Sequence, residues 1–212
     1  MDQTTGSIWK KLLFFAVPMI LGNLLQQLYN TADSVIVGNF AGSNALAAVG
    51  SGTFIINLLI AFSVGTSMGA GIIVAQAYGA KEDKAVGDAV HTALALAGIL
   101  GAVLSLCGVL LTPQILVWMG TPEDVMPESV SYFRIYSGAL IFNVLYNMAA
   151  GILNAVGNSK RSLLYLAAAS ATNIVLDLLF VGYLHMGTTG AAIATDISQV
   201  LSAVLAIWRL GI

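Results

Sequence analysis

Six runs of mainly apolar residues, separated only by short polar connections, leave this chain few places to fold other than a lipid bilayer. They fall at about residues 12–38, 45–78, 86–111, 130–153, 162–184 and 190–210. A bilayer core takes roughly 20 mostly apolar residues per spanning helix, and each run reaches or exceeds that length. The expectation is an all-α polytopic membrane protein with six transmembrane helices. Composition agrees: 58% of the 212 residues are hydrophobic and 8% charged, against about a quarter charged in soluble domains. The second run is too long for one perpendicular span, so part of it is expected as loop, as tilt, or as helix beyond the lipid.

Basic residues alternate between connections, which orients the chain. Lys10 and Lys11 precede the first run, Lys81 and Lys84 follow the second, Lys160 and Arg161 follow the fourth, and Arg209 closes the sixth. Only Arg134 falls on the other side. By the positive-inside rule both termini and the connections YGAKEDKAVGD and GNSKRS are cytoplasmic, while FAGSN, TPEDVMPES and HMGTTG face outward. The expected location is the cytoplasmic membrane. Lys10 and Lys11 before LLFFAVPMIL resemble the start of a signal peptide, but no small-residue cleavage pattern follows, so the segment reads as a retained first helix. No basic stripe could follow a phosphate backbone, which excludes nucleic acid as a partner. Cys107 alone forms no intrachain disulfide. His91 and His185 lie on opposite sides of the membrane and share no metal spacing. Glu82, Asp83, Asp88, Glu123, Asp124 and Glu128 read as solvated loop charges.

Glycine occurs 22 times, and Gly65, Gly69 and Gly71 stand inside the second run, where small residues let helix backbones approach closely. Gly65 to Gly69 also matches a G-x-S-x-G nucleophile pattern around Ser67. That elbow needs a strand-to-helix turn, and this stretch is helix interior, so the match is chance. Pro18 removes a backbone hydrogen bond within the first run; it is either a packing kink or a hinge.

Most ionisable residues sit at connections, but Asp33, Asp177 and Asp196 do not. An acid at the centre of a membrane helix costs about 2.5 to 3.5 kcal/mol on insertion scales and usually faces a bundle interior or a watery cavity. Counted from the nearest outward turn, Asp33, Asp177 and Thr195 each lie about 13 Å deep at 1.5 Å per residue. Counted from Lys11, Asp33 lies about 33 Å in, so its level is placed only in the outer half of the membrane. Asn173 and Asp177 are i and i+4 and project from one face. On the first run Gln26, Tyr29, Asn30 and Asp33 repeat at i, i+3, i+4 and i+7. Two carboxylates in one desolvated pocket can hold a proton between them, and with an amide and a hydroxyl they offer the all-oxygen shell of a hard cation. The functional reading is a coupling-cation site for Na⁺ or H⁺. The bland alternative is a set of interhelical hydrogen bonds. Intramembrane aspartyl proteases also place two aspartates on adjacent spans, but the Gly-x-Gly-Asp pattern is missing around Asp177, so an enzyme is not expected.

The segments AVPMILGNLLQQLYNTADSVIVGNFAGSNALAAVG, GAGIIVAQAYGAKEDKAVG, GILNAVGNSKRS, NIVLDLLF and GAAIATDISQ, in this order and spacing, resemble the amino-terminal half of a multidrug and toxic compound extrusion (MATE) transporter. The resemblance covers essentially the whole chain. It implies a six-helix lobe, residues 1–212, equivalent to half of a twelve-helix transporter. It also implies a cation site, open to Na⁺, on Asp33, Asn173, Asp177 and Thr195. Gln26 and Tyr29 match polar positions that face the substrate cavity in this family, and Asn143 and Asn147, at i and i+4, are further cavity candidates. The implied function is efflux of amphipathic, often cationic, compounds in exchange for Na⁺ or H⁺, with no cofactor beyond the coupling ion. The implied surroundings are membrane lipid, a small-molecule substrate, and a second lobe supplied by a separate half or by a second copy of the chain. The expectation favoured here is a fragment or truncated product, with the sixth helix still running at AIWRLGI. Two alternatives stand beside transport of drugs: a lipid-linked oligosaccharide flippase of the same superfamily, and a non-transporting membrane interaction module. Asp196 departs from the family pattern, which has an apolar or small residue after that threonine. It points about 100 degrees away from Thr195, and the readings open to it are lining the cavity, facing the second lobe, or marking relaxed constraint in a degenerate chain.

Overall fold

Lipid offers backbone amides no partner, so a chain of this hydropathy satisfies them within helices. The computed structural model describes residues 8–211. Its elements are α1 (Ile8–Phe40), α2 (Ser43–Gly79), α3 (Asp83–Trp118), α4 (Met126–Gly138), α5 (Leu140–Ala155), α6 (Ser159–Asp177), a π-helical turn (Leu178–Tyr183) that continues α6, and α7 (Gly187–Leu210). No strand occurs among the described residues. α2, α3, α6 with its π turn, and α7 are each long and apolar enough to cross a membrane, and α4 with α5 makes a fifth candidate if the pair counts as one span. The protein is therefore an all-helical, multi-pass membrane protein.

The second run is helix throughout. Its 37 residues measure about 55 Å at 1.5 Å per residue, so the excess over the bilayer core is carried by tilt or by helix outside it, and none is loop. α1 continues through Pro18 without interruption. Lys10 and Lys11 fall in α1, but their side chains lie outside the described residues. α7 ends at Leu210, where Gly211 turns left-handed at φ 81° and its N–H bonds the Trp208 carbonyl at 3.2 Å.

The fourth expected span is the main departure, since it forms two helices, which makes seven α-helices among the described residues instead of six. α4 and α5 meet at Ala139 with a bend of 46°. The cause lies in the neighbouring helix. Such a break frees N–H groups that would otherwise bond within the helix, and the Ile141 N–H donates to Ser105 Oγ on α3 at 3.0 Å. α3 also offers bare backbone on either side of that serine. A Cβ at Gly101 would lie 2.7 Å from Ile141 Cα, and one at Gly108 would lie 2.7 Å from Ser137 Cβ. Replacing Ser105 by alanine orphans the Ile141 amide, a loss of about 1–3 kcal/mol. The expected result is a lower unfolding temperature of the detergent-solubilised protein; an unchanged one would show that the bend does not depend on this bond.

α5 packs on α2 and α3, α1 lies along α6, and α7 is held between α5, α6 and α4. Ser67 of α2 donates to the Asn147 carbonyl at 2.7 Å, so the serine of the chance nucleophile pattern is a helix-packing group. At one end of the bundle, residues from three connections (Phe40 and Ala41, Glu128, and His185 to Thr189) line a common cavity of about 390 Å³. These are the three connections expected to share the outward side.

Candidate functional site

Four buried polar side chains gather where α1, α6 and α7 meet. Asp33 is 8% exposed, Asn173 1% and Asp177 fully buried, and Thr195 is also buried. The Asp33 and Asp177 carboxyls sit beside each other. No hydrogen bond satisfies Asp33 Oδ1 or either oxygen of Asp177. Asn173, one turn before Asp177 on the same face of α6, donates from Nδ2 to Thr195 Oγ1 at 3.4 Å, leaving its own Oδ1 without a partner. The four residues chosen from spacing and resemblance are therefore neighbours, and together they present several buried oxygens with unused lone pairs. Buried polar groups in folded proteins are nearly always bonded, so a cluster of this many buried oxygens without protein partners is unusual.

The local backbone helps to place these oxygens. Directly after Asp177 the chain widens into the π turn, where the Leu184 N–H bonds the Leu179 carbonyl at 2.8 Å. Turns of this kind recur at functional sites. Here the turn carries Val181 inward, four residues beyond Asp177, and Val37 lies four residues beyond Asp33 on α1. Both valines are fully buried, in one apolar cluster with Ile36, Tyr132, Ala191 and Ala192. Val181 also lines the end cavity formed by the three connections. The carboxylate pair is thus separated from that end by an apolar plug.

On the other side of the pair lies a second, smaller cavity of about 40 Å³, lined by Gln26 and Tyr29 of α1, Asn143, Tyr146 and Asn147 of α5, Ser170 and Asn173 of α6, and Thr195, Ser198, Gln199 and Ser202 of α7. This volume holds a few waters or one small head group. All four cavity candidates from the sequence, Gln26, Tyr29, Asn143 and Asn147, are on its wall, and so are Asn173 and Thr195 of the carboxylate cluster. Asn147 Nδ2 donates to Asn143 Oδ1 at 3.0 Å and to the Asn143 carbonyl at 2.9 Å, so this pair is locked by its i, i+4 spacing.

Two expectations shift. Asn30 does not continue the stripe of Gln26, Tyr29 and Asp33: it is exposed, because α1 packs chiefly on α6 and this flank meets no helix. Asp196 is not on the cavity wall; it is partly buried, with Oδ1 unpartnered, beside Tyr136 of α4. Sequence reasoning missed Tyr132, which lies close to both carboxyls and stacks on Tyr136 at 6.3 Å between ring centroids and 20° between planes. It also missed Ser198, Gln199 and Ser202. A signal for these was present, since Thr195, Ser198, Gln199 and Ser202 repeat at i, i+3, i+4 and i+7, much as Gln26, Tyr29 and Asp33 stand at i, i+3 and i+7 on α1.

The MatE family model matches residues 18–179. The chain is 37% identical over 202 residues to the probable multidrug resistance protein YoeA of Bacillus subtilis and 31% identical over 198 residues to the probable multidrug resistance protein YpnP of the same organism. Each match covers 93% of this chain and 44% of the relative. Among solved structures, a MATE in the bent conformation superimposes with a TM-score of 0.91 at 29% identity, over 97% of this chain and 46% of the other. The chain spans a little under half the length of the curated relatives it matches.

Proposed function

Because the chain belongs to the MatE family, we propose that it forms one lobe of a cation-coupled exporter of amphipathic organic compounds, in the cytoplasmic membrane with both termini inside. The single observation that carries this reading is the joining of two features by Asn173 and Thr195. These two residues belong to the buried carboxylate cluster and also line the polar cavity. A cation held by Asp33 and Asp177, with oxygens of Asn173 and Thr195, would therefore alter the wall against which a substrate rests. Antiport needs that kind of contact, because a ligand shifts a conformational equilibrium only by its differential affinity for the states. The apolar plug of Val37, Val181 and Tyr132 supports alternating access, since it closes the carboxylates from one end while the polar cavity adjoins them on the other.

The expected partner is a second six-span lobe, from another half or another copy. Asn23, Gln27 and Asn30 are exposed along α1, and polar groups at membrane depth ordinarily face protein or a watery cavity rather than lipid. Such a partner would cover this flank and complete the substrate path. The cavity wall carries no Lys or Arg, which favours organic cations over the pyrophosphate head of a lipid-linked oligosaccharide. The relatives' designation as probable multidrug resistance proteins favours transport over a purely structural module.

Thermodynamic linkage tests the coupling on the chain as it stands. A fluorescent amphipathic cation is titrated into the solubilised protein at several Na⁺ concentrations and pH values. Coupled antiport requires Na⁺ or H⁺ to weaken dye binding, by roughly 5-fold or more for a typical coupling free energy. One dissociation constant under all conditions would end the cation-coupled reading.

A further inference from the structure

We propose that the coupling cation reaches Asp33 and Asp177 from the end of the bundle where three connections meet, through the cavity there and a valine gate on the π turn, by a path separate from the substrate cavity. The proposal rests on the coupling-cation reading of the carboxylate pair and adds its route. The end cavity is the larger of the two, at about 390 Å³, which leaves room for an ion with its water shell. Glu128 gives its wall one negative charge, no Lys or Arg offsets it, and His185, Thr188 and Thr189 supply further polar groups. A cleft lined by one sign of charge raises the local concentration of the opposite ion.

The floor of this cavity is closed but thin. Val181 and Ala45 border the cavity, yet both are buried and belong to the apolar cluster of Val37 and Tyr132. Val37 follows Asp33 by four residues, about 6 Å along α1 at 1.5 Å per residue, and Val181 follows Asp177 by the same count. Roughly one helical turn of apolar side chains thus stands between the cavity and the carboxyls. A bare ion does not cross such a layer, so the layer must move, and Val181 stands on the part of the α6 span that is not α-helical. A π turn closes each hydrogen bond over one residue more than an α turn. Tightening it to α geometry therefore rotates the residues beyond Leu178 about the helix axis and displaces Val181. The chain just beyond can take up the change, since His185 and Gly187 stand left-handed at φ 52° and 58°. That conformation is uncommon for a histidine, and its release would offset part of the cost of opening. The polar cavity has no comparable element at its border with the pair, where Asn173 and Thr195 lie on regular α-helix and bond each other at 3.4 Å.

The test follows the exchange of bound radioactive sodium, and proton uptake after a pH jump, in the solubilised full chain. Val181→Thr keeps the shape of the side chain and adds a hydroxyl to the floor. It is expected to speed ion exchange about tenfold, equal to about 1.4 kcal/mol in the barrier, with the equilibrium affinity within about twofold of the parent. A valine that only packs would instead lower the unfolding temperature or the affinity and leave the rate unmoved. The second arm closes the cavity. With the exposed Cys107 first replaced by serine, Thr189→Cys is modified with a bulky thiosulfonate, which is expected to slow exchange about tenfold or more. Reducing the mixed disulfide should restore the parent rate. Failure of either change to move the rate would overturn the proposal and leave the coupling-cation reading standing. A parent chain that binds neither sodium nor protons would overturn both.

Discussion

Cation binding is expected to fall by roughly 100-fold or more when Asp33 and Asp177 are both replaced by asparagine, since affinity for a hard cation follows the number of charged oxygen ligands. The measurement is bound radioactive sodium at neutral pH, together with the protons taken up when an unbuffered sample is acidified. Both should drop, because the variant removes the two carboxylates that could hold either ion. Stability should not drop with them. The native pair brings two acids together in a buried place, with three of their four oxygens lacking partners, and removing charge from such a place is often neutral or stabilising. Asparagine also keeps the volume and can donate to the neighbouring carbonyl-type oxygen. The unfolding temperature in detergent is therefore expected to stay level or rise. The opposite pattern, cation binding intact and the fold weakened, would identify the carboxyls as structural hydrogen-bonding groups. Single variants should be informative as well, because the remaining acid keeps one charge in the pocket and with it a weaker, still pH-sensitive binding.

How far this site could be read from the sequence depends on which contacts are local. Gln26, Tyr29 and Asp33 lie on one helix at helical spacing, and so do Asn173 with Asp177 and Asn143 with Asn147. Those relations follow from 3.6 residues per turn. The matching depths of Asp33, Asp177 and Thr195 could also be counted, once turns were assigned. What could not be counted is which flank of a helix meets a neighbour. Asn30 stands only one position from Tyr29, yet one faces outward and the other lines the cavity, because the packing of α1 on α6 decides the boundary. Tyr132 was hidden for the same reason: a tyrosine in an apolar run carries no local sign that two acids lie beside it. Most instructive is the bend at Ala139. SGALIFN reads as continuous apolar helix, with no proline and with a glycine of the kind found elsewhere in unbroken spans of this chain. The break becomes intelligible only with α3 in place, where Ser105 receives the freed amide and two glycines admit the displaced turns.

That dependence yields the second large effect. Gly101→Ala is expected to destabilise the solubilised protein strongly, by about 1–3 kcal/mol or more, whereas Gly98→Ala, one turn earlier on α3, should be neutral or slightly stabilising. Both changes add the same methyl group, and both exchange glycine for a better helix former, worth up to about 1 kcal/mol in favour of the helix. They differ in what the methyl meets. At Gly98 nothing lies within 4 Å, but at Gly101 the added Cβ would stand 2.7 Å from Ile141 Cα and 3.1 Å from Ile141 Cγ1. A side-chain tip could swing aside, yet an α-carbon moves only with its helix, so α3 and α5 must separate at the turn where Ser105 holds the Ile141 amide. Separation would lengthen that bond and loosen α5, the helix that presents Asn143 and Asn147 to the cavity. The unfolding temperature and dye affinity should therefore fall together in Gly101→Ala and stay together in Gly98→Ala. If Gly101→Ala is as stable as the parent, the close passage of α3 against the bend is not what shapes the broken span.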